Sequence, residues 1–530
     1  MKKSLPVLLI SVINIFCHKP VQAQVPGTPD SSFAVNGIQL LQPSSGFDNA
    51  YSIAMLDDGK MLIGGASEVS GPGNWDVVVY RLNPDGSIDE TFGNNGFAYN
   101  DYQNYSQYVR SMKRLSNGKL LFVGGAEVNF QVDVFATQLN EDGTPDTDFG
   151  DNGTVLIPIG TGEDICMAAV EQADGKIVIV GNYGVASTTF TNPVAIRLNT
   201  DGSLDDDYGT NGIALIDAGY NYESAEDVIL MDDGGIMATG YAGNSHYDIL
   251  SFRLDGSGQL NPNYGINGIA VYNLNNGDDM AYAITKSPVD GKILIGGKVG
   301  SGSTKTDFLV MAVNEYGLID SSFGTNGKTS QNIKVNDAGL DLAVQSNGRI
   351  ILGGTAGAGF ATNDFAICRF NQDGSIDSTF GTNGSTLSEI SSFFSDIEDV
   401  ALQPDGKIVA CGIAASANND MGIVRYKGDD VATGAAALNT QSSAIQCDLY
   451  PNPSNGSFNL SLYDASGYSG SMQVQLLKLT GQLVFEKSID MNSGVAYTTL
   501  DITKMTGTNT YILKVTAGNC QFNRSVVIQH

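Results

Sequence analysis

A chain of 530 residues is long enough for more than one domain, and its formal charge of −29 argues against nucleic acid or anionic membrane surfaces as partners, because both require Lys and Arg to neutralise phosphates. Hydrophobic residues make up 42% of the chain and 64 Gly stand beside 15 Pro, a balance typical of a turn-rich globular protein rather than a disordered one.

The chain begins with a predicted secretory signal peptide over residues 1–23. Two lysines precede an apolar run from Leu5 to Phe16, and the small residues that end at Ala23 match a signal-peptidase site. Cleavage after Ala23 is therefore expected. No later apolar run reaches the ~20 residues that a membrane-spanning helix needs, so the sequence predicts an exported, soluble mature protein without a transmembrane segment.

Three phrases recur seven times across residues 27–427, with a period of about 58 residues. They are an acidic turn phrase such as DGSIDETFGNNG from Asp85, a hairpin phrase such as DDGKMLIGG from Asp57, and a strand phrase such as DVVVYRLN from Asp76. The turn phrase always carries one aromatic residue: Phe33, Phe92, Phe149, Tyr208, Tyr264, Phe323 and Phe380. Repetition of this kind predicts a repeat architecture.

Each repeat predicts four short strands without an intervening helical pattern. The Asp-Gly pairs supply the positive φ angles of tight hairpins, and four strands per repeat are typical of a propeller blade. A closed ring also hides the strand edges that would otherwise promote aggregation. The predicted fold class is therefore all-β, with a seven-bladed β-propeller over residues 27–427 in which Phe380 and its equivalents pack between neighbouring sheets.

The paired turn and hairpin phrases resemble the delta-60 repeat of bacterial secreted and surface proteins. The resemblance spans all seven copies and implies a propeller, but it implies no general enzymatic activity. The first copy departs from the pattern at PGTPDSSFAVNG, and the fifth copy has Asn261 where the others have Asp.

The C-terminal part predicts a second domain. Residues 428–446 are small and polar and predict a linker, and the short alternating strands of residues 447–530 predict a small β-sandwich. The phrases YPNPSNGSFNL, KLTGQLVFE and TYILKVTAGNCQFNRSVVIQ resemble the C-terminal sorting domain of the type IX secretion system; an ordinary adhesion-like sandwich is the alternative. The resemblance implies a diderm bacterium of the Bacteroidetes type, export by the type IX machinery, removal of the domain, and release or attachment at the cell surface. Cys447 and Cys520 lie in this segment, either paired or free.

Few residues are suited to catalysis or to metal binding. Of the three His, only His246 is neither in the signal peptide nor the C-terminal residue, which argues against a catalytic triad or a multi-His metal site. Asn83, Asp85 and Asp89 offer several oxygens within one turn and are weak calcium candidates, but such residues also form ordinary Asx turns. No other cofactor is expected.

Recognition is expected on the face formed by two loop classes that vary in length and sequence. Variable loops on a rigid scaffold often bind ligands, although their rings can also pack back onto blade edges. The candidate ligand contacts are the aromatic residues Trp75, Tyr247, Tyr105 and Phe130. The sequence thus predicts a secreted or surface noncatalytic binding protein for a glycan or a surface protein; the alternative is a glycosidase-like hydrolase that uses an acidic pair.

Overall fold

The computed structural model describes residues 25–185, 188–275, 277–300, 305–359, 362–416 and 418–429, and then 445–450, 457–464, 470–478, 483–491, 495–501, 509–517 and 520–528. The chain divides into two compact units between Val431 and Ala432. The predicted signal peptide with Ala23, most of the predicted linker, and the side chains of Cys447 and Cys520 lie outside the described part of the chain.

The first unit is built from β-strands that pair antiparallel in sets of four, here called sheets 1 to 7. One parallel bridge, between Thr191 and Tyr222, joins sheet 3 to sheet 4, and another, between Thr306 and Asn336, joins sheet 5 to sheet 6. Strand β1 (Ile38–Leu41) pairs with the last strand of the unit. Sheet 1 contains β2 (Asp48–Met55), β3 (Met61–Ser67), β4 (Asp76–Leu82) and β5 (Phe97–Asn100). Sheet 2 contains β6 (Gln107–Arg114), β7 (Leu120–Val128), β8 (Gln131–Leu139) and β9 (Thr154–Ile157). Sheet 3 contains β10 (Ile165–Glu171), β11 (Ile177–Gly184), β12 (Thr191–Leu198) and β13 (Ile213–Leu215).

The remaining sheets repeat this order. Sheet 4 contains β14 (Tyr222–Leu230), β15 (Ile236–Gly243), β16 (Tyr247–Leu254) and β17 (Ile269–Tyr272). Sheet 5 contains β18 (Met280–Lys286), β19 (Ile293–Gly300), β20 (Thr306–Val313) and β21 (Lys328–Gln331). Sheet 6 contains β22 (Asn336–Val344), β23 (Ile350–Gly357), β24 (Asn363–Phe370) and β25 (Ser385–Ser388). Sheet 7 contains β26 (Ser395–Leu402), β27 (Ile408–Ala415) and β28 (Asn419–Tyr426), and β1 completes it.

The first strands of the sheets contact one another in chain order. The series runs β2, β6, β10, β14, β18, β22 and β26, and β26 contacts β2 again. Within each sheet the strands are antiparallel, and β1 pairs with β28 so that Ile38 lies opposite Val424. The predicted all-β class and the propeller-type repeats are therefore confirmed over the described residues of this unit.

The repeated aromatic residues pack between neighbouring sheets. All seven are buried, and each ring lies against the turn glycine of another copy of the phrase. A side chain at Gly27 would come within 2.8 Å of the Phe380 ring, so the last copy packs against the first. Gly27 also has a φ of +85°, a conformation that glycine adopts without the steric cost of a Cβ atom. These contacts explain why both residue types recur in every repeat.

The second unit contains two antiparallel sheets in its described residues. Its strands are β29 (Ile445–Tyr450), β30 (Ser457–Asp464), β31 (Gly470–Lys478), β32 (Leu483–Met491), β33 (Val495–Asp501), β34 (Asn509–Ala517) and β35 (Cys520–Ile528). One sheet has the order β29-β30-β33 and the other has the order β32-β31-β34-β35. Val474 and Leu476 on β31 are buried while Gln475 between them is less so, the period-two alternation of a sheet with one covered face.

Within the described residues of both units, the structure contains no helix with the length and apolar character required to cross a membrane.

Candidate functional site: the central cavity

The first strands of the seven described sheets together line one cavity of about 520 Å³, here called the central cavity. Each of these strands runs from a variable loop to the Asp-Gly hairpin and contributes side chains to the lining. The cavity lies where the repeats meet, so a ligand inside it would contact several sheets at once. Its volume is within the range of roughly 300–1,000 Å³ that is usual for small-molecule sites.

Every strand that lines the cavity contains a β-bulge at the same place. The register shifts by one residue in each first strand, for example between Ala50 and Ser52 on β2. A bulge leaves one residue unpaired and redirects its side chain. The seven unpaired residues all line the cavity, and we call them the bulge ring: Tyr51, Arg110, Met167, Glu226, Tyr282, Leu340 and Glu398. The β-bulge is present in all seven strands, whereas the type of residue at the unpaired position differs between them.

The residue after the bulge ties neighbouring sheets together in three places. The backbone N–H of Ile284 donates to Asp227 at 2.8 Å, joining sheet 5 to sheet 4. The N–H of Val400 donates to Asp341 at 2.9 Å, and the N–H of Ile53 donates to Asp399 at 2.8 Å. These carboxylates therefore have a structural role in addition to lining the cavity.

Burial changes the charge of the cavity acids. Removal from bulk water raises the pKa of Glu398 to about 7 and that of Asp227 to about 6, although both side chains keep partial access to the cavity. Asp341 and Asp399 share a hydrogen bond; burial first, and then the charge of Asp399, raise the pKa of Asp341 well above its usual range. A hydrogen bond between two carboxyl groups requires a proton on one of them, so the pair of Asp341 and Asp399 contains a carboxylic acid.

Three basic residues of β6 also line the cavity: Arg110, Lys113 and Arg114, the last of which pairs with Glu141 at 3.8 Å. Within the described residues neither Arg110 nor Lys113 forms an ion pair. The Arg110 guanidinium lies 5.8 Å from the centre of the Tyr51 ring. Burial raises the pKa of Glu226, and the positive charge of Arg110 opposes that shift. Arg110 therefore interacts electrostatically with Glu226 while its N–H groups remain available to a ligand.

A row of tyrosines leads from the variable loops to the cavity wall. Tyr247, the first residue of β16, lies 5.1 Å from Tyr241 between ring centres, and Tyr241 lies 6.5 Å from Tyr282 of the bulge ring. The N–H of Tyr247 donates to Asp278 at 3.1 Å, which fixes its backbone against the loop of the next sheet. All three rings are half-buried. We call these residues the tyrosine row.

The four aromatic residues expected to bind a ligand lie in different sheets. Trp75 stacks on Phe47 at 6.4 Å and packs against the core between sheets 1 and 2, and Tyr105 contacts a neighbouring loop tyrosine, Tyr102. Phe130, in the β7–β8 turn, is 99% exposed. Tyr247 is the one that ring contacts among the described residues connect to the cavity. The prediction that these residues bind a ligand stays a prediction.

The calcium candidates make the contacts of turns and ion pairs. Asp85 accepts hydrogen bonds from the N–H and hydroxyl of Ser87, and Asn83 donates to the same hydroxyl. Asp89 accepts from Arg81 Nε at 2.7 Å and from Lys60 Nζ at 2.9 Å. Among the residues described, no cluster of three or more His, Cys, Asp or Glu side chains is arranged to hold a metal ion.

The Arg–Asp pair is present in four of the seven sheets: sheets 1, 3, 6 and 7. Sheets 2 and 5 have Gln138 and Ala312 at the position of the Arg. Equivalent pairs join Arg197 to Asp205, Arg369 to Asp377, and Arg425 to Asp30. In sheet 4, where Asn261 replaces the Asp, Arg253 donates instead to Asp233 and its buried Nε lacks a partner in the described structure.

Sequence reasoning missed the bulge ring. Arg110, Glu226 and Glu398 lie in strands whose pattern predicts only an ordinary inner strand, and a bulge is a backbone irregularity that residue periodicity does not reveal. The available signal was internal: when the repeats are aligned on their hairpin glycines, the position eight residues before the glycine holds six of the seven bulge residues, which differ in size, polarity and charge, and Tyr282 is displaced from it by one residue.

Comparison with known families finds matches in both units of the chain. A model described as a domain of unknown function (DUF5122) beta-propeller matches residues 56–92, 115–149, 172–207, 345–380 and 403–430. A model described as a secretion system C-terminal sorting domain matches residues 448–529. No curated protein sequence matches the chain significantly.

Several solved structures resemble the chain at low sequence identity. PorZ, a surface component of the type-IX secretion system of Porphyromonas gingivalis, is 12% identical with a TM-score of 0.39, over 91% of this chain and 59% of PorZ. An acylaminoacyl peptidase from Pyrococcus horikoshii is 8% identical with a TM-score of 0.34, over 78% of this chain and 58% of the peptidase. A PL25 ulvan lyase is 10% identical with a TM-score of 0.37, over 73% of this chain and 94% of the lyase. The chain thus spans less than two thirds of the first two proteins.

Proposed function

We propose that this chain, which contains segments matching the DUF5122 β-propeller model and a secretion system C-terminal sorting domain, is a noncatalytic binding protein whose ligand enters the central cavity. The sorting domain indicates export across the outer membrane, to the cell surface or into the medium. We further propose that the seven sheets form a closed seven-bladed propeller and that the two C-terminal sheets form a β-sandwich. The ligand is a glycan or a surface protein, and binding requires no cofactor.

The bulge ring is the observation that carries this proposal. Seven repeats keep the same bulge, which presents one side chain each to a shared cavity, yet these side chains include two Tyr, two Glu and one Arg. Positions that serve folding alone keep one residue type in most repeats, as the buried aromatic position does. A position that varies while its geometry is kept is suited to recognition.

The acidic pair Asp341 and Asp399 supports a second candidate, a hydrolase. The pair occurs at one place in the ring, as a catalytic pair should. However, the two carboxyl groups hydrogen-bond to each other, whereas glycosidase carboxylates are separated by about 5 Å or more so that the substrate or a water fits between them. Both groups also accept hydrogen bonds from neighbouring strands, which favours a structural role.

A paired screen tests these functions against each other. The exported protein is exposed to a panel of polysaccharides and surface proteins, and both binding and product release are measured on the same panel. We expect saturable binding without products, and loss of binding in Arg110→Glu, whose side chain reverses a charge inside the cavity. Treatment with EDTA should change neither result.

Product release that disappears in Asp399→Asn would replace the binding proposal by the hydrolase. Binding that survives in Arg110→Glu, with the variant folded, would move the site out of the central cavity.

A further inference from the structure

We infer that the ligand of the central cavity is a neutral saccharide chain that lies along Tyr247, Tyr241 and Tyr282 and ends between Arg110 and Glu226. This inference rests on the proposed binding function and names the chemical class of its ligand. The supporting observation is that aromatic side chains extend from a variable loop to the cavity wall and that polar side chains lie beyond them inside the cavity.

The tyrosine row provides aromatic surfaces of alternating orientation, because the ring planes are inclined by 75° between Tyr247 and Tyr241 and by 62° between Tyr241 and Tyr282. Tyr247 is the first residue after a variable loop, Tyr241 lies beside Tyr247, and Tyr282 is part of the cavity wall. A sugar ring has an apolar face of C–H groups, which packs on the electron-rich face of an aromatic ring. Rings 5.1 and 6.5 Å apart between centres can contact consecutive units of one extended chain. A compact ligand confined to the cavity would not reach Tyr247.

Polar groups at the inner end of the row suit hydroxyl groups. Arg110 carries several N–H donors that no carboxylate occupies in the described structure, and Glu226 offers a carboxyl group on the same ring of residues. Sugar hydroxyls both donate and accept hydrogen bonds, so they can satisfy an arginine and a glutamate together. The hydroxyl of Ser224 donates to Glu226 at 2.6 Å, which holds that carboxylate in place.

The charges of the cavity favour a neutral ligand. Groups of both charges line the cavity: the ionised members among Glu226, Asp227, Asp341, Glu398 and Asp399 would repel an anionic chain, and the basic residues of β6 would repel a cationic one. Beside the tyrosine row, the Lys298 ammonium lies 5.7 Å from the centre of the Tyr282 side-chain ring. Arg110 belongs to the opposite part of the bulge ring, so an ammonium ligand would lie near two cations. A neutral saccharide buries hydroxyls against existing partners and adds no charge.

Titration calorimetry on the full-length exported protein tests the inference. The neutral probes are cello-, malto- and manno-oligosaccharides of two to six units; oligogalacturonates and chitosan oligomers serve as the anionic and cationic arms. We expect one neutral series to bind, with affinity that increases with chain length until the row is filled. The charged arms should bind at least roughly 10-fold more weakly than the neutral series, because each adds unfavourable charge contacts.

Three single-residue variants test where the bound saccharide lies. Tyr247→Ala should reduce the affinity for the longer oligosaccharides by roughly 3- to 10-fold and leave the shortest unaffected, because only a long chain reaches it. Arg110→Ala should weaken all lengths by at least roughly 10-fold. Tyr316→Ala is the matched control: it removes a 51% exposed tyrosine from a turn between β20 and β21 and should change nothing.

The outcomes separate the inference from the proposed function. Binding of panel proteins but of no saccharide would overturn the inference and leave the binding function intact, whereas absence of any binding would overturn both. Preference for the charged arms would overturn the choice of a neutral chain. Equal losses in Tyr247→Ala and Tyr316→Ala, or a Tyr247→Ala loss that does not depend on chain length, would overturn the path along the tyrosine row.

Discussion

The turn face and the bulge ring of the first unit are built from the same seven repeats but follow opposite rules. The turn face comprises the buried aromatic residues, the turn glycines and the Arg–Asp pairs. On the turn face, the aromatic residue, the turn glycine and most of the Arg–Asp pairs recur from sheet to sheet. In the bulge ring the backbone geometry recurs and the side chains change. The repeats of one chain can therefore be compared with each other in place of homologous sequences. Contacts that recur in the repeats hold the sheets together, whereas positions with the same backbone geometry but different residue types are available for ligand recognition.

The energetic reason for the difference is burial. Arg369 is fully buried and lies 4.7 Å above the Phe380 ring while it donates to Asp377, so each of the three residues depends on the others. The aromatic residue and the turn glycine recur in all seven copies, whereas the Arg–Asp pair is present in four of them. The bulge residues project into a cavity rather than between two packed sheets, so residues of different size and polarity fit at this position.

The largest effect on the free energy of unfolding is expected from substitution of an aromatic residue that packs between neighbouring sheets. Phe380→Ala should lower the free energy of unfolding by about 3–5 kcal/mol, because it removes a fully buried ring between the first and last copies. Denaturant unfolding followed by circular dichroism measures the change. Phe130→Ala is the control, since its ring is 99% exposed and should matter by less than about 0.5 kcal/mol. Equal losses in both variants would remove the distinction between buried and exposed rings.

Substitutions at the Arg–Asp pairs should change the free energy of unfolding by a smaller amount, and the sign of the change should differ between sheet 6 and sheet 4. Asp377→Asn should cost roughly 2–4 kcal/mol, because it deprives the buried Arg369 of a carboxylate. Asn261→Asp should instead stabilise the protein by up to about 1 kcal/mol, because it supplies the acceptor that the Nε of Arg253 lacks. The same denaturant assay applies. A destabilised Asn261→Asp variant would show that Asp233 already satisfies Arg253.

The two regions should also respond to pH in opposite directions. Burial raises the pKa of Glu398 to about 7, so its contribution to stability is complete below its ordinary value of 4.5 and is lost as the pH rises through 7. Hydrogen bonds from Thr91 and Lys60 lower the pKa of Asp89, so its contribution is present above its ordinary value of 3.8 and is lost as the pH falls.

Variants isolate these two contributions. Glu398→Gln should become more stable relative to the parent protein as the pH rises from 4.5 to 8, by an amount on the order of 1–2 kcal/mol. Asp89→Asn should be less stable than the parent at pH 7, with a difference that shrinks toward pH 3. Unfolding free energies measured across this range provide the check, and parallel pH profiles for the two variants would contradict the contrast.

The smallest effect on the first unit is expected from loss of the sorting domain. Deletion of Leu449 to His530 should leave the unfolding free energy of the remaining unit unchanged, because that unit has its own core and separates from the second unit near Val431. The deletion should instead retain the protein in the periplasm. In the intact protein, mass measurement on the exported form should find a chain that starts at Gln24 and ends within residues 428–446; His530 on all exported molecules would contradict the processing.

Much of the fold could be predicted from sequence because its signals are local and repeated. Asp-Gly and Asn-Gly pairs, with Asn95 at a φ of 54°, mark turns by backbone chemistry alone, and the recurring aromatic at Phe380 identifies its own packing role. The candidate site could be predicted only in part. Tyr247 was found because it stands in a variable loop, but its route through Tyr241 to Tyr282 depends on contacts between strands that are distant in sequence. Arg110 was missed because a single bulge reverses which side of the strand faces the cavity.

Two arginines in neighbouring sheets test the central claim most directly. Arg81 belongs to the repeated turn face and pairs with Asp89, whereas Arg110 belongs to the bulge ring and forms no ion pair in the described residues. Unfolding free energy and ligand affinity should be measured for Arg81→Ala and for Arg110→Ala. We predict that Arg81→Ala is destabilised but binds normally while folded, and that Arg110→Ala is as stable as the parent but loses binding. Normal binding by Arg110→Ala, or lost binding by folded Arg81→Ala, would contradict the division between repeated structure and varied recognition.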